Sequence, residues 1–137
     1  MNYDICDDMT EEEALFVRQG LAEFATRFTE PRNYREFSFV LRNESGDTSG
    51  GIMGNTIWDW LRIDVLWVPD ELRGKRYGHR LLERAEELAR SRDCKFAMID
   101  TFEFEARDFY EAHGYVVQSQ TDDFPTGHTH YHLTKVL

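Results

Sequence analysis

The sequence predicts an α/β fold: one mixed, mostly antiparallel central sheet flanked by helices. Three observations predict it. Runs such as Phe37, Phe39 and Leu41 alternate apolar with polar residues and read as strands. Two longer stretches carry apolar residues at helical spacing. Between the β-type run Leu61–Trp67 and the second helical stretch lies a basic turn punctuated by Gly74 and Gly78. The resulting order is β, α, three antiparallel strands, α, β, α, β, β.

Each element has a local reason. Asn2 to Cys6 reads as a short first strand. Thr10 and Glu13 have the spacing of a capping box. Leu15, Phe16, Leu21, Phe24, Ala25 and Phe28 then recur at helical spacing, and Pro31 marks the stop. Gly20 inside this helix costs roughly 1 kcal/mol relative to alanine and marks a kink or a close approach. Asn43 to Asp47 is a hairpin turn, and Gly51 to Trp58 is the next strand. A tight turn near Asp59 leads into Leu61–Trp67. Tyr77, Leu81, Ala85, Leu88 and Ala89 predict a helix that reaches about Arg92, with a basic last turn as the helix dipole prefers. Lys95 to Thr101 is a strand, and Glu105 to His113 a short helix closed by Gly114. Tyr115 to Gln120 and His130 to Leu137 are the last two strands, joined by the acidic loop Thr121 to Gly127.

Composition bounds the function. At 137 residues the chain reads as a single domain, 1–137, with 41% hydrophobic and 14% aromatic residues to build a core. A net charge of −10 argues against general nucleic-acid binding and favours a cationic partner such as an amine. No apolar run is long enough for a membrane helix, and Met1 to Thr10 lacks the pattern of a secretory signal. A cytoplasmic location is therefore expected. Cys6 and Cys94 fit no zinc or redox spacing, and a disulfide between them is not expected. Cys94 reads as a small buried side chain.

The chemistry concentrates at the turn. Free N–H groups and the positive end of a dipole at a helix start can hold a phosphate. Gly74 and Gly78 allow close backbone approach, and Arg73, Lys75 and Arg76 add positive charge to an acidic protein. Arg73-Gly74-Lys75-Arg76-Tyr77-Gly78 resembles the acetyl-CoA pyrophosphate loop of the GNAT superfamily of N-acetyltransferases, Arg/Gln-x-x-Gly-x-Gly/Ala. Phe109-Tyr110-Glu111-Ala112-His113-Gly114-Tyr115 resembles that family's second signature, Phe-Tyr-x-x-x-Gly-Phe/Tyr. The interval between them leaves room for one helix and one strand. Arg76 stands where the family has its first glycine. An arginine at negative φ still presents its N–H, and its guanidinium can reach a phosphate directly.

The resemblance implies the GNAT fold and transfer of an acetyl group from acetyl-CoA to a small-molecule primary amine, by direct attack in a ternary complex. The rival readings are a protein or peptide N-acetyltransferase and a non-catalytic acyl-CoA-binding module. It implies cofactor contacts from Arg73 to His79 and from the backbone of Leu66, Trp67 and Val68. Tyr110 matches the tyrosine that protonates the departing thiolate in many relatives. Asp64 is the candidate base on the strand before the turn, and Asp100 is its rival and a candidate substrate contact. Glu103 stands where many relatives place an asparagine near the pantetheine. His128, His130 and His132 alternate, but ligands roughly 6.5–7 Å apart along a strand do not close easily around one ion. No metal is therefore expected, and His128 is read as a substrate contact. The expected partners are a small amine and, as an assembly left open, a second copy of the chain. Nucleic acid and membrane are not expected.

Overall fold

The computed structural model describes residues 1–137 as two compact units, Met1–Arg32 and Asn33–Leu137. In the first, helix α1 spans Glu11–Ala25. The capping box forms in both directions: the Thr10 N–H donates to Glu13 Oε1 at 2.8 Å and the Glu13 N–H donates to Thr10 Oγ1 at 3.1 Å. The backbone bond from Thr10 holds the Glu13 carboxyl below its ordinary value. The helix ends at Ala25, well before Pro31, where the Thr26 hydroxyl donates to the Glu23 carbonyl at 2.6 Å and competes with the next helical turn. Gly20 marks no close approach, since a Cβ there would meet nothing within 4 Å, and the helix runs on through it. The expected strand at Asn2–Cys6 does not form. Tyr3 and Ile5 are fully in solvent, and an alternating segment without a partner strand has nowhere to place its N–H and C=O groups.

The second unit contains strands β1 (Arg35–Arg42), β2 (Thr48–Ile57), β3 (Trp60–Trp67), β4 (Phe96–Phe102), β5 (Val116–Asp122) and β6 (Thr129–Val136). They form one sheet in the order β1-β2-β3-β4-β6-β5. Neighbours are antiparallel except β3 and β4, which are parallel. That parallel pair needs a crossover, and helix α2 (Tyr77–Ser91) supplies it. Helix α3 (Arg107–Ala112) joins β4 to β5 and ends at Gly114, whose φ of 90° suits a helix C-terminus. The β1–β2 hairpin turns at Asn43, whose side-chain oxygen accepts the N–H groups of Ser45 and Asp47, both at 2.9 Å.

Alternation decides which side of each strand is buried. Leu61 and Ile63 of β3, Ala97 and Ile99 of β4, and Tyr131 and Leu133 of β6 pack with Leu81, Leu82, Ala85 and Ala89 of α2. Cys94, just before β4, is buried with them as a free thiol.

One charged group enters this core. The carboxylate of Glu86, on the buried face of α2, accepts the Tyr115 hydroxyl at 2.7 Å and Lys135 Nζ at 2.9 and 3.0 Å. The helix is thereby tied to β6 and to the connection between α3 and β5. Burial first, and then the Glu86 charge, push the Tyr115 phenol far above its ordinary value. Tyr115→Phe leaves one lone pair of a buried carboxylate unanswered and should cost about 1–3 kcal/mol at neutral pH. The alkaline behaviour has a definite sign. The folded state holds the Tyr115 proton more tightly than the unfolded state does. Its contribution is thus complete below about pH 10, the unfolded value, and is lost as pH rises toward the folded one. Denaturant melts from pH 8 to 11 should show a shallower alkaline decline in Tyr115→Phe than in the parent.

Candidate active site

The site begins with an irregularity in β3. Met53 pairs with Val65 and Gly54 with Ile63, so Asp64 is an extra residue with no partner on β2. A bulge of this kind bends its strand and raises its twist. Gly54 lets the strands approach there, because a Cβ would run into the Arg62 carbonyl. The alternation also shifts: Leu61 and Ile63 face the core before the bulge, while Leu66 and Val68 do so after it. Pairing between β3 and β4 stops at Ile63 with Ile99, although β3 runs on to Trp67 and β4 to Phe102. The two central strands part at the bulge and present unladdered backbone groups to the gap. Of the residues expected to supply those groups, Leu66 is half-buried, Trp67 exposed and Val68 buried. The Val68 carbonyl already accepts Arg73 Nε at 3.2 Å.

The basic turn closes this end of the gap. After a short 3-10 turn at Asp70–Leu72, Gly74 has φ 76° and Arg76 has φ 68°, ψ 14°. The negative φ at which an arginine would present its N–H like any other residue is therefore not what Arg76 adopts. The chain needs a left-handed residue here to enter α2, which is the conformation glycine adopts without cost. Arg76 occupies the N-cap position without a side-chain cap, and the first turn of α2 carries no acidic residue. The leading N–H groups of the helix are thus left for an anion. Arg73 is pinned by Asp70 at 3.0 Å, an exposed pair of small energetic weight. Lys75 and Arg76 are exposed with no ion pair. Arg76→Gly should raise stability by about 0.5–1 kcal/mol, the relief of left-handed strain less the added freedom of the unfolded chain. The same variant should bind CoA more weakly through the lost cation. Thermal melts and calorimetry separate the two effects, and a variant that is no more stable would remove the strain argument.

A cluster not visible in the sequence joins this turn to α3. His79 Nδ1 lies 2.8 Å from His113 Nε2, His113 Nδ1 lies 2.8 Å from the Phe109 carbonyl, and His79 Nε2 lies 3.0 Å from Glu83 Oε2. A carbonyl and a carboxylate only accept. Satisfying all three contacts takes three ring N–H groups, one more than two neutral imidazoles hold. Gly78 sits against α3 as well: a Cβ there would lie 3.5 Å from the Phe109 ring, in ordinary contact.

Tyr110, next on α3, is buried between the rings of Phe109 and Tyr115, with centroids 5.3 and 5.5 Å away. Its hydroxyl accepts and donates no hydrogen bond within the protein. Burial first, and the Glu105 carboxylate second, push its phenol well above its ordinary value. It stays protonated throughout the neutral range and remains a donor.

The opposite face of the sheet holds the remaining candidates. Asp64 is exposed and lines a cavity of about 530 Å³ with Tyr34, Glu36, Ser38 and Met53. Asp100 and His132 are direct partners on β4 and β6, with Oδ1 2.7 Å from Nδ1. His128 precedes β6 in a loop and does not share the strand with His130 and His132. Its Nδ1 lies 2.7 Å from Glu103 Oε1, and Glu103 Oε2 accepts the Thr129 N–H at 3.1 Å. Slight burial opposes ionisation of Glu103, but these bonds prevail and hold its carboxyl below the ordinary value. His130 stacks on Phe124 at 5.1 Å and meets the edge of Phe102 at 4.9 Å. Each imidazole has its own partner. The structure thus gathers the turn, His79 and Tyr110 on the α2 side of the sheet. Asp64 and Asp100 lie on the other side, and His128 lies beyond the end of β4. His113 and Glu86 are important residues that sequence reasoning did not single out, and His132 was weighed there only as a metal ligand, without its partner Asp100.

The model of the Acetyltransferase (GNAT) family matches residues 3–115. The chain is 35% identical over 113 residues to blasticidin-S acetyltransferase of Streptomyces morookaense, covering 82% of this chain and 83% of that protein. It is 34% identical over 116 residues to an acetyltransferase of Agrobacterium fabrum strain C58, covering 84% of each. A crystal structure of an acetyltransferase from Bacillus cereus superposes with a TM-score of 0.87 at 29% identity, over 98% of both chains. No helix is long and apolar enough to cross a membrane.

Proposed function

Because the chain belongs to the Acetyltransferase (GNAT) family of enzymes, we propose that it transfers the acetyl group of acetyl-CoA to a primary amine of a small molecule. Attack is direct, within a ternary complex. One observation carries this reading: the uncapped start of α2 stands at the end of the gap where β3 and β4 part. A phosphate held at the former sets a pantetheine arm along the latter. Arg73 to His79 hold the pyrophosphate with N–H groups and cations. The backbone of Leu66, Trp67 and Val68 orients the arm and faces the carbonyl oxygen as it gains charge. Tyr110 protonates the leaving sulfur. Asp64 draws the ammonium group toward the gap, and Asp100 and His128 border the acceptor side.

Blasticidin S is the first acceptor to try, on the strength of the relative that bears its name. The protein is incubated with acetyl-CoA and blasticidin S, then with a panel of small amines, while free thiol and product mass are followed. An acetylated amine with matching thiol release is expected. Acetylation of peptide amines alone would replace the small-molecule reading. CoA binding with no turnover on any amine would leave a binding module.

A further inference from the structure

We propose that His132, oriented by Asp100, takes the proton from the acceptor ammonium. The assignment rests on the acetyl-transfer reading above and identifies the base that reading needs. A positioned base must reach the amine nitrogen and must present an unprotonated acceptor.

Three observations meet that requirement. Asp100 is the first residue of β4 beyond its last pairing with β3, so it stands where the gap opens. His132 is its direct partner on β6, and cross-strand partners project from the same face. The 2.7 Å contact from Nδ1 to Oδ1 fixes the tautomer, with the proton on Nδ1 and the lone pair on Nε2. Nε2 has no other partner, and the ring is about one-third exposed at 35%. Such a ring is held firmly by its carboxylate and is still open to substrate. This arrangement, a carboxylate that orients an imidazole and stabilises its cation, is a general solution for accepting protons.

The other carboxylates suit the task less well. Glu103 is committed to His128 and to the Thr129 N–H. Asp64 has no imidazole to carry a proton away. The groups facing His132 are Asp100 from β4, Ser119 from β5 and its own-strand neighbours His130 and Thr134. Asp100 is the single fixed charge in contact. Tyr110, by contrast, packs in the core beneath the opposite face. Acid and base thus approach the thioester from opposite sides of the gap.

The step balances. The ammonium gives one proton to Nε2, and the free amine forms the C–N bond to the thioester carbonyl. As the C–S bond breaks, Tyr110 donates its proton to the sulfur and recovers one from the new nitrogen. His132 returns its proton to water. One amide, one thiol and one proton result.

The test uses single-turnover acetylation by the full chain, with CoA affinity measured alongside. His132→Gln should lower the rate about 100-fold near neutral pH with unchanged CoA affinity. The acid limb of the profile should move to the higher pH at which the amine deprotonates unaided, so the deficit should shrink as pH rises. Asp100→Asn should lower the rate less and shift the limb, because it reorients the ring without removing it. A His132→Gln enzyme with the parental rate and limb would overturn the assignment alone. If that limb followed Asp64→Asn instead, the base would be Asp64. A parent that acetylates no amine would remove the acetyl-transfer reading, and this assignment with it.

Discussion

Tyr110→Phe should lower turnover by about 10- to 1000-fold, at or below the usual range for acid catalysis, with little change in CoA affinity. The substitution keeps the ring that packs between Phe109 and Tyr115 and removes one oxygen. That oxygen makes no hydrogen bond within the protein, so its loss leaves no buried group unpaired. Stability should hold or rise slightly, and a fall in rate cannot then be blamed on the fold. The elevated pKa of the phenol also fixes the shape of the result. Tyr110 contributes no limb to the pH profile near neutrality, so the deficit should be constant across that range. Slow product release can hide a chemical defect in steady-state rates. Single-turnover thiol release is the measurement that decides. Parental kinetics in that assay would reduce Tyr110 to a packing residue.

Gly78→Asp should weaken CoA binding by about 100-fold or more, equivalent to roughly 2.7 kcal/mol. The site tolerates the new atoms: a Cβ reaches only ordinary contact with the Phe109 ring at 3.5 Å. An acidic residue in a first helical turn is also favourable to the helix itself, since it answers the positive end of the dipole. A carboxylate there competes for the same N–H groups as a phosphate and repels it. The variant should therefore melt at or above the parental temperature while its CoA affinity collapses. Unchanged affinity in calorimetry would mean that the cofactor does not use this helix start.

Much of this was legible in the sequence because the signals were local. Thr10 with Glu13 gave the start of α1 from one capping rule, and Gly114 gave the end of α3 from another. The motif around Tyr110 and the basic turn each lie within one short segment. What escaped depends on partners distant in the chain. The bulge at Asp64 exists only in the register with Gly54, and it reverses the alternation that a strand reading assumes. His79 and His113 are far apart in sequence and meet because α2 and α3 pack together. The hydrogen bond between His132 and Asp100 spans two strands whose adjacency no local pattern encodes. Alternation misled at Asn2–Cys6, since it states a willingness to pair and says nothing of whether a neighbour is present. At Arg76 the residue type pointed one way and the backbone another. A substitution at a left-handed position is recognised only once φ is known.

The parting of β3 from β4 has a mechanical side. The sheet consists of two three-stranded ribbons, β1-β2-β3 and β4-β6-β5, stitched by only four in-register pairs at one end. Beyond that seam each ribbon twists without a neighbour to restrain it. An extended ligand lying in the opening acts as a substitute strand and completes the ladder. Its binding should then be felt as stiffening along both free edges, with slowed amide exchange from Val65 to Trp67 and from Asp100 to Phe102. The cofactor would serve as a structural spline for the very sheet that orients it.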